Sequence, residues 1–169
     1  MKKVVVLAAF FTVAFAYVVS AQKTVVDVAV GSKEHTTLVA AVTAADLVTV
    51  LQGAGPFTVF APVNAAFDKL PAGTVTNLLK PENKATLAKI LTYHVVAGSI
   101  DAAAVVKAIQ DGNGKAVLTT VSGGKLTASI KNGKVILTDE NGGTATVVAT
   151  DLKAENGIVH VLDAVVLPK

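Results

Sequence analysis

The chain contains no cysteine, no tryptophan and no arginine in 169 residues, and aromatics make up only 5% of it. Without cysteine there is no disulfide framework, no thiolate metal site and no lipidated N-terminal Cys. Without arginine the planar forks that clasp phosphates are missing, and the fifteen lysines form no dense run along the sequence. Nucleic acid is therefore not an expected partner. Catalytic signatures are equally scarce. There is no Gly-x-Ser-x-Gly elbow, P-loop or dinucleotide fingerprint, and Ser32, Ser99, Ser122 and Ser129 have no evident base partner. His35, His94 and His160 stand apart, without the close spacing of a zinc helix motif. Asp139-Glu140-Asn141-Gly142-Gly143 is acidic but lacks the alternating ligands of an EF-hand loop, so it reads as a hairpin turn, with a weak surface calcium contact as the lesser alternative. No enzyme, no metal and no cofactor is expected.

What the chain does have begins at its N-terminus. Met1-Lys2-Lys3 is a short basic start, Val4 to Val19 is uncharged and apolar, and Val19-Ser20-Ala21 precedes a cut before Gln22. This is the three-part layout of a secretory signal peptide over residues 1–21. The competing reading is an uncleaved anchor, which the run is short for, since a spanning helix needs about 20 apolar residues. Cleavage leaves residues 22–169 as a single domain, large enough to bury roughly two-thirds of its unfolded surface without disulfides. The formal charge of +3 includes Lys2 and Lys3, so their removal leaves about +1. A secreted or periplasmic monomer, not inserted in a membrane after cleavage, is the expectation.

Two halves differ in periodicity. Leu38, Val39, Val42, Leu47, Val50 and Leu51 recur at helical steps, and Thr36 or Thr37 can cap that helix. Gly53-Ala54-Gly55-Pro56 stops it, and Phe57 to Ala61 reads as a short buried strand ended by Pro62. Asn64 sits where a helix Ala65–Leu70 begins, and its side chain can accept from the Ala66 or Phe67 N–H. Pro81-Glu82 opens a helix with Leu87, Ile90 and Leu91 on its apolar face, and Asp101 to Ile109 is the last helix. Strand-like runs follow at 117–121, 125–130, 134–138 and 144–150, punctuated by Gly-Gly and by Asn132-Gly133, a strong two-residue hairpin signal. Helices first and strands later is an α+β pattern with an antiparallel meander.

Three ordered segments carry a resemblance. They are Thr58-Val59-Phe60-Ala61-Pro62-Val63-Asn64-Ala65-Ala66-Phe67, then Leu91-Thr92-Tyr93-His94-Val95-Val96-Ala97-Gly98, then Gly157-Ile158-Val159-His160-Val161-Leu162-Asp163-Ala164-Val165-Val166-Leu167-Pro168. In order and wording they resemble the two conserved boxes and the Tyr-His segment of the fasciclin (FAS1) family, over about Val25 to Pro168. Val63 departs from the hydroxyl residue usual before the Asn. The resemblance implies an antiparallel β-sandwich or wedge flanked by a helical layer, with the terminal box returning as a central strand. It also implies a non-catalytic adhesion or interaction module.

The resemblance assigns roles to particular residues. His160 belongs to the structural core of the second box, against a catalytic reading that would need a nucleophile or water in reach. Asn64 is a helix cap or, alternatively, a ligand contact. Tyr93, His94, Asp151 and Leu152 match two animal adhesion motifs, with Leu152 in place of Ile. The plainer reading has Tyr93 packing with its hydroxyl at the rim and Asp151 closing a turn. The expected partner is a cell-surface protein or glycan. The alternative function is a carrier of an apolar molecule such as a carotenoid, in a groove lined by residues such as Val63, Ile90 and Val95.

Overall fold

The computed structural model describes residues 23–169, so the expected signal peptide and Gln22 lie outside the described residues. The chain opens with helices: α1 (Val25–Val30), α2 (Thr36–Ala44) and α3 (Val48–Leu51). Strand β1 (Phe57–Pro62) is followed by α4 (Asn64–Asp68), α5 (Thr74–Leu78) and α6 (Lys84–Tyr93). Then come β2 (Val95–Ala97) and α7 (Ala102–Asp111). The meander is β3 (Lys115–Thr119), β4 (Lys125–Lys131), β5 (Lys134–Thr138) and β6 (Thr144–Ala154), and β7 (Gly157–Leu162) closes the sheet.

The α+β class holds, and the strand order is β2-β1-β7-β6-β5-β4-β3. The meander is antiparallel as expected, but the sheet is mixed, because β1 and β7 pair in parallel from Phe57↔Gly157 to Pro62↔Leu162. The whole meander separates these two strands, so the chain returns to β1 by a long crossover that leaves both running the same way. Gly157 is required there: a Cβ on it would lie 2.0 Å from the Phe57 carbonyl oxygen. β6 is long and carries register shifts between Val147 and Leu152. Such bulges sharpen bend and twist, letting one strand serve two sheet halves. A bridge between Val96 and Thr120 brings the two ends of the sheet together.

Two cores follow from the alternation of side chains along these strands. Phe60, Leu118, Leu126, Leu137, Leu162 and Tyr93 fill the interior of the curled sheet, with Val105 and Ile109 of α7. Ala61, Val95 and Val159 face the opposite way and pack against Val25, Leu38, Val42, Leu87 and Leu91 of α1, α2 and α6. β7 is buried along its whole length because both layers cover it.

Two local expectations are corrected. The helix read through Leu47 to Leu51 breaks at Asp46, whose φ is +55°. Asp46 N–H donates to Thr43 O and Leu47 N–H to Val42 O, the paired bonds of a left-handed helix stop. Neither Thr36 nor Thr37 caps α2 with its own side chain. Asn64 caps it instead, from 27 residues away.

Candidate functional site

Asn64 does not cap its own helix, because Val63 holds that position without a side-chain bond. Its Oδ1 accepts from Thr37 N–H at 3.0 Å and from the Thr36 hydroxyl at 3.2 Å, while its Nδ2 donates to Lys33 O at 2.9 Å. One amide side chain thus satisfies a free N–H at the start of α2 and ties that helix to the end of β1.

Tyr93 and His94 end α6, and both are buried, at 0% and 3% exposure. The Tyr93 hydroxyl is not at a rim. It donates to Lys125 O at 2.7 Å and accepts from Glu140 N–H at 3.3 Å, joining α6 to two strand ends. Its ring also sets the backbone path opposite: a Cβ on Gly124 would meet ring carbon Cε2 at 2.5 Å. His94 Nε2 accepts from Val166 N–H at 3.2 Å, so the proton sits on Nδ1, which donates to Ile90 O at 2.9 Å. Burial lowers the His94 pKa from 6.5 to about 4, so the ring is neutral at physiological pH. Asp139 completes this end: its Oδ1 closes the 139–143 turn through Asn141 and Gly143 N–H, and its Oδ2 accepts from Leu167 N–H. The C-terminal segment is therefore clasped by two side chains of different elements.

Asp151 and Leu152 lie elsewhere, on the bulged part of β6. Asp151 has φ +58°, and its Oδ1 accepts from Ala102 N–H at 2.8 Å, at the first turn of α7. That helix start is also capped by Asp101, which accepts from Ala104 N–H. Asp151 N–H donates to His160 Nδ1 at 3.3 Å, which leaves the His160 proton on Nε2, donated to Ile100 O at 2.9 Å. The His160 ring stacks on Phe60 with centroids 5.5 Å apart. Thr58, fully buried, extends the chain by accepting from Ile100 N–H and donating to Gly98 O. Both ring nitrogens of His160 are thus engaged with backbone, and the imidazole acts as a brace.

The four adhesion-motif matches do not converge. Tyr93 and His94 hold the C-terminal end, whereas Asp151 and Leu152 form a corner at α7. Leu152, at 40% exposure, is the most exposed of the four. Asn156 is a functional-looking polar residue that sequence reading missed. Its Oδ1 accepts from Val25 N–H, and its Nδ2 donates to Leu51 O and Gly53 O, fastening α1 and α3 to the β6–β7 turn.

Among the described residues, no group of three His, Cys, Asp or Glu side chains is placed to hold a metal ion. No described helix is long and apolar enough to cross a membrane. The residues named for an apolar groove do not share one: Val95 lines a small cavity of about 30 Å³ between α1, α2, α6 and β1, with Val25, Val42, Val59 and Leu91 among others. Ile90 instead lines a separate, wider and open depression with Lys89, Asn141 and Leu167, and Val63 lines neither. The small cavity admits a water but is far below the roughly 300–1,000 Å³ of a typical small-molecule pocket.

Known proteins share this frame. A family model for the fasciclin domain matches residues 33–168. Protein sll1483 of Synechocystis is 50% identical over 145 residues, covering 86% of this chain and 73% of that protein. Immunogenic protein MPB70 of Mycobacterium bovis is 37% identical over 152 residues, covering 87% of this chain and 70% of that one. A solved FAS1 domain pair from the insect cell adhesion molecule fasciclin I superposes with a TM-score of 0.61 at 20% identity. It is matched over 75% of this chain, which spans 42% of that longer one. Proteins of this family are generally non-enzymatic and adhesion-related. By the match over residues 33–168 and the identity to these relatives, the chain belongs to the fasciclin-domain family.

Proposed function

We propose that this chain is an exported, non-catalytic FAS1 module that attaches to a cell-surface or matrix partner, a protein or glycan. In this reading residues 1–21 direct export and are removed, and the domain works as a secreted or periplasmic monomer. The observation that carries it is the Asp151–Leu152 corner. A half-exposed leucine is held there on a backbone fixed by the Asp151–Ala102 and Asp151–His160 bonds. Preorganisation of that kind lowers the ordering cost of association, as recognition by a rigid surface requires. The insect relative, described as a cell adhesion molecule, agrees with the reading.

Tyr93 and His94 serve this function by holding the frame, since a buried side chain offers no surface to a partner. Leu152→Ser is the direct test, in an assay of cell attachment to protein-coated surfaces. Attachment should fall several-fold while the thermal midpoint stays within a few degrees of wild type. Undiminished attachment by the folded variant would remove the corner as the contact. The carrier reading stands second, because the α1 cavity is lined by apolar side chains. It requires α1 to move, since about 30 Å³ does not hold a polyene.

A further inference from the structure

Between Gly112 and Thr138 the sequence contains Lys115, Lys125, Lys131 and Lys134 and no Asp or Glu. Along the chain these lysines are scattered. The meander gathers them, because the register Lys115↔Ser129, Thr119↔Lys125 and Lys131↔Lys134 places all four on one face of β3, β4 and β5. It is the outer face: the alternate residues Ala116, Leu118, Leu126, Ala128 and Leu137 point into the core. All four lysines are exposed, and none is in an ion pair among the described residues. The first seven residues of β6 add no carboxylate to this face. Glu140 lies in the turn at its end, where its Oε1 accepts from the Lys125 backbone N–H.

Between the lysines lies a band of hydroxyls. Thr127, Thr138 and Thr144 are successive cross-strand neighbours, and Ser129 and Thr146 flank Ile136 in the next row. None of these five hydroxyls makes a hydrogen bond among the described residues. Val117, at 61% exposure, adds an apolar spot beside Thr127. Lys125 and Lys131 are six residues apart on one strand, about 20 Å. Neighbouring strands add about 4.8 Å per step.

We infer that this face binds a linear, carboxylate-bearing polysaccharide. The complementarity is specific in kind. Lys115, Lys131 and Lys134 gather at one end of the face and Lys125 stands about 20 Å away at the other, so ammonium groups at both ends suit a long polymer that carries charge repeatedly along its length. Free Thr and Ser hydroxyls suit sugar hydroxyls, and exposed valine suits ring C–H faces. The absence of arginine forks and the low charge density disfavour nucleic acid. The inference rests on the attachment reading above and narrows its partner to an acidic glycan, on a surface distinct from the Asp151–Leu152 corner.

The test uses the purified protein with alginate as the carboxylated probe, and dextran, dextran sulfate and duplex DNA as comparisons, at low and moderate salt. Two quadruple variants carry the same charge change: Lys115, Lys125, Lys131 and Lys134 to Gln on the sheet, and Lys23, Lys33, Lys80 and Lys89 to Gln elsewhere. The expected result is alginate binding that weakens with salt, falls about tenfold or more in the sheet variant, and stays within about twofold in the other. An equal loss in both variants would reduce the effect to net charge and overturn the inference. So would equal binding to neutral dextran, retention on dextran sulfate or DNA without alginate, or no alginate binding at all. Cell attachment measured on the same proteins separates the two claims. Attachment that survives in a sheet variant that has lost alginate binding leaves the attachment reading in place and overturns the acidic glycan as its partner, whereas alginate binding without cell attachment keeps the glycan surface and removes the attachment reading.

Discussion

His94 makes the stability of the domain depend on pH in a way that can be calculated. The ring is fully enclosed at the end of α6, with Nε2 accepting from Val166 N–H and Nδ1 donating to Ile90 O. A second proton would displace the Val166 bond and place a charge in the core, so burial lowers the pKa from 6.5 to about 4. The native state then binds fewer protons than the unfolded chain between those values. Stability contributed by His94 is therefore complete above pH 6.5 and is lost as pH falls toward 4. Over that window the loss is about 3 kcal/mol, near 1.4 kcal/mol for each pH unit at the steepest part. His35, also buried and lowered chiefly by desolvation, adds in the same direction. Asp27, held below its usual 3.8 by Thr24, acts only at lower pH. Urea unfolding of wild type and His94→Gln at pH 7, 5.5 and 4.5 measures the effect. The variant should be less stable at pH 7 but flatter with pH, keeping only the His35 share. A variant with the full wild-type slope would refute the assignment of acid sensitivity to His94.

Two further perturbations test the frame. Asn64→Ala removes the shared cap of α2 and should cost about 1–2 kcal/mol by chemical denaturation. Asn64→Asp keeps an acceptor for Thr37 N–H but loses the bond to Lys33 O, so it should cost less, and equal costs would show that the cap is not the main contribution. Gly157→Ala forces a methyl against the Phe57 carbonyl within the parallel β1–β7 pair. It should cost about 3 kcal/mol or more and lower the thermal midpoint sharply, and a midpoint within a few degrees of wild type would show that β1 and β7 do not approach so closely.

Local chemistry accounts for what was readable in the sequence. Asn132 and Gly133 have φ of +52° and +75°, as a two-residue hairpin between Lys131 and Lys134 demands. The Gly-Gly and Asn-Gly breaks separated the strands of the meander, and Pro81 marked the approach to α6. Long-range partnership was not readable. The stop at Asp46 interrupts a helical period that its neighbours continue, because apolar spacing is insensitive to a single left-handed residue. Asn64 has the chemistry of a cap, but which helix it caps depends on how α2 packs against the end of β1. The burial of Tyr93 depends on strands β4 and β5, which lie 32 and more residues further along the chain.

The polar residues that make the family recognisable are largely occupied within the fold. His160 and Asp151 brace β6, β7 and α7 to one another, Tyr93 and His94 join α6 to the strand ends and the C-terminal segment, and Asn64 joins β1 to α2. Each bond ties an element to a distant one, so losing one partner would leave a buried polar group unsatisfied. Such residues can be shared by domains with different partners, because they fix the frame without touching anything outside it. Discrimination between partners must then come from positions whose side chains have no internal task. Leu152 and the four lysines of β3–β5 meet that condition, since the frame is complete without their side-chain ends. The lysines lie outside all three motif segments, on strands whose inward residues alone are needed to fill the core. Exchanging those outward residues should therefore alter what the domain holds while leaving its fold and its acid sensitivity unchanged.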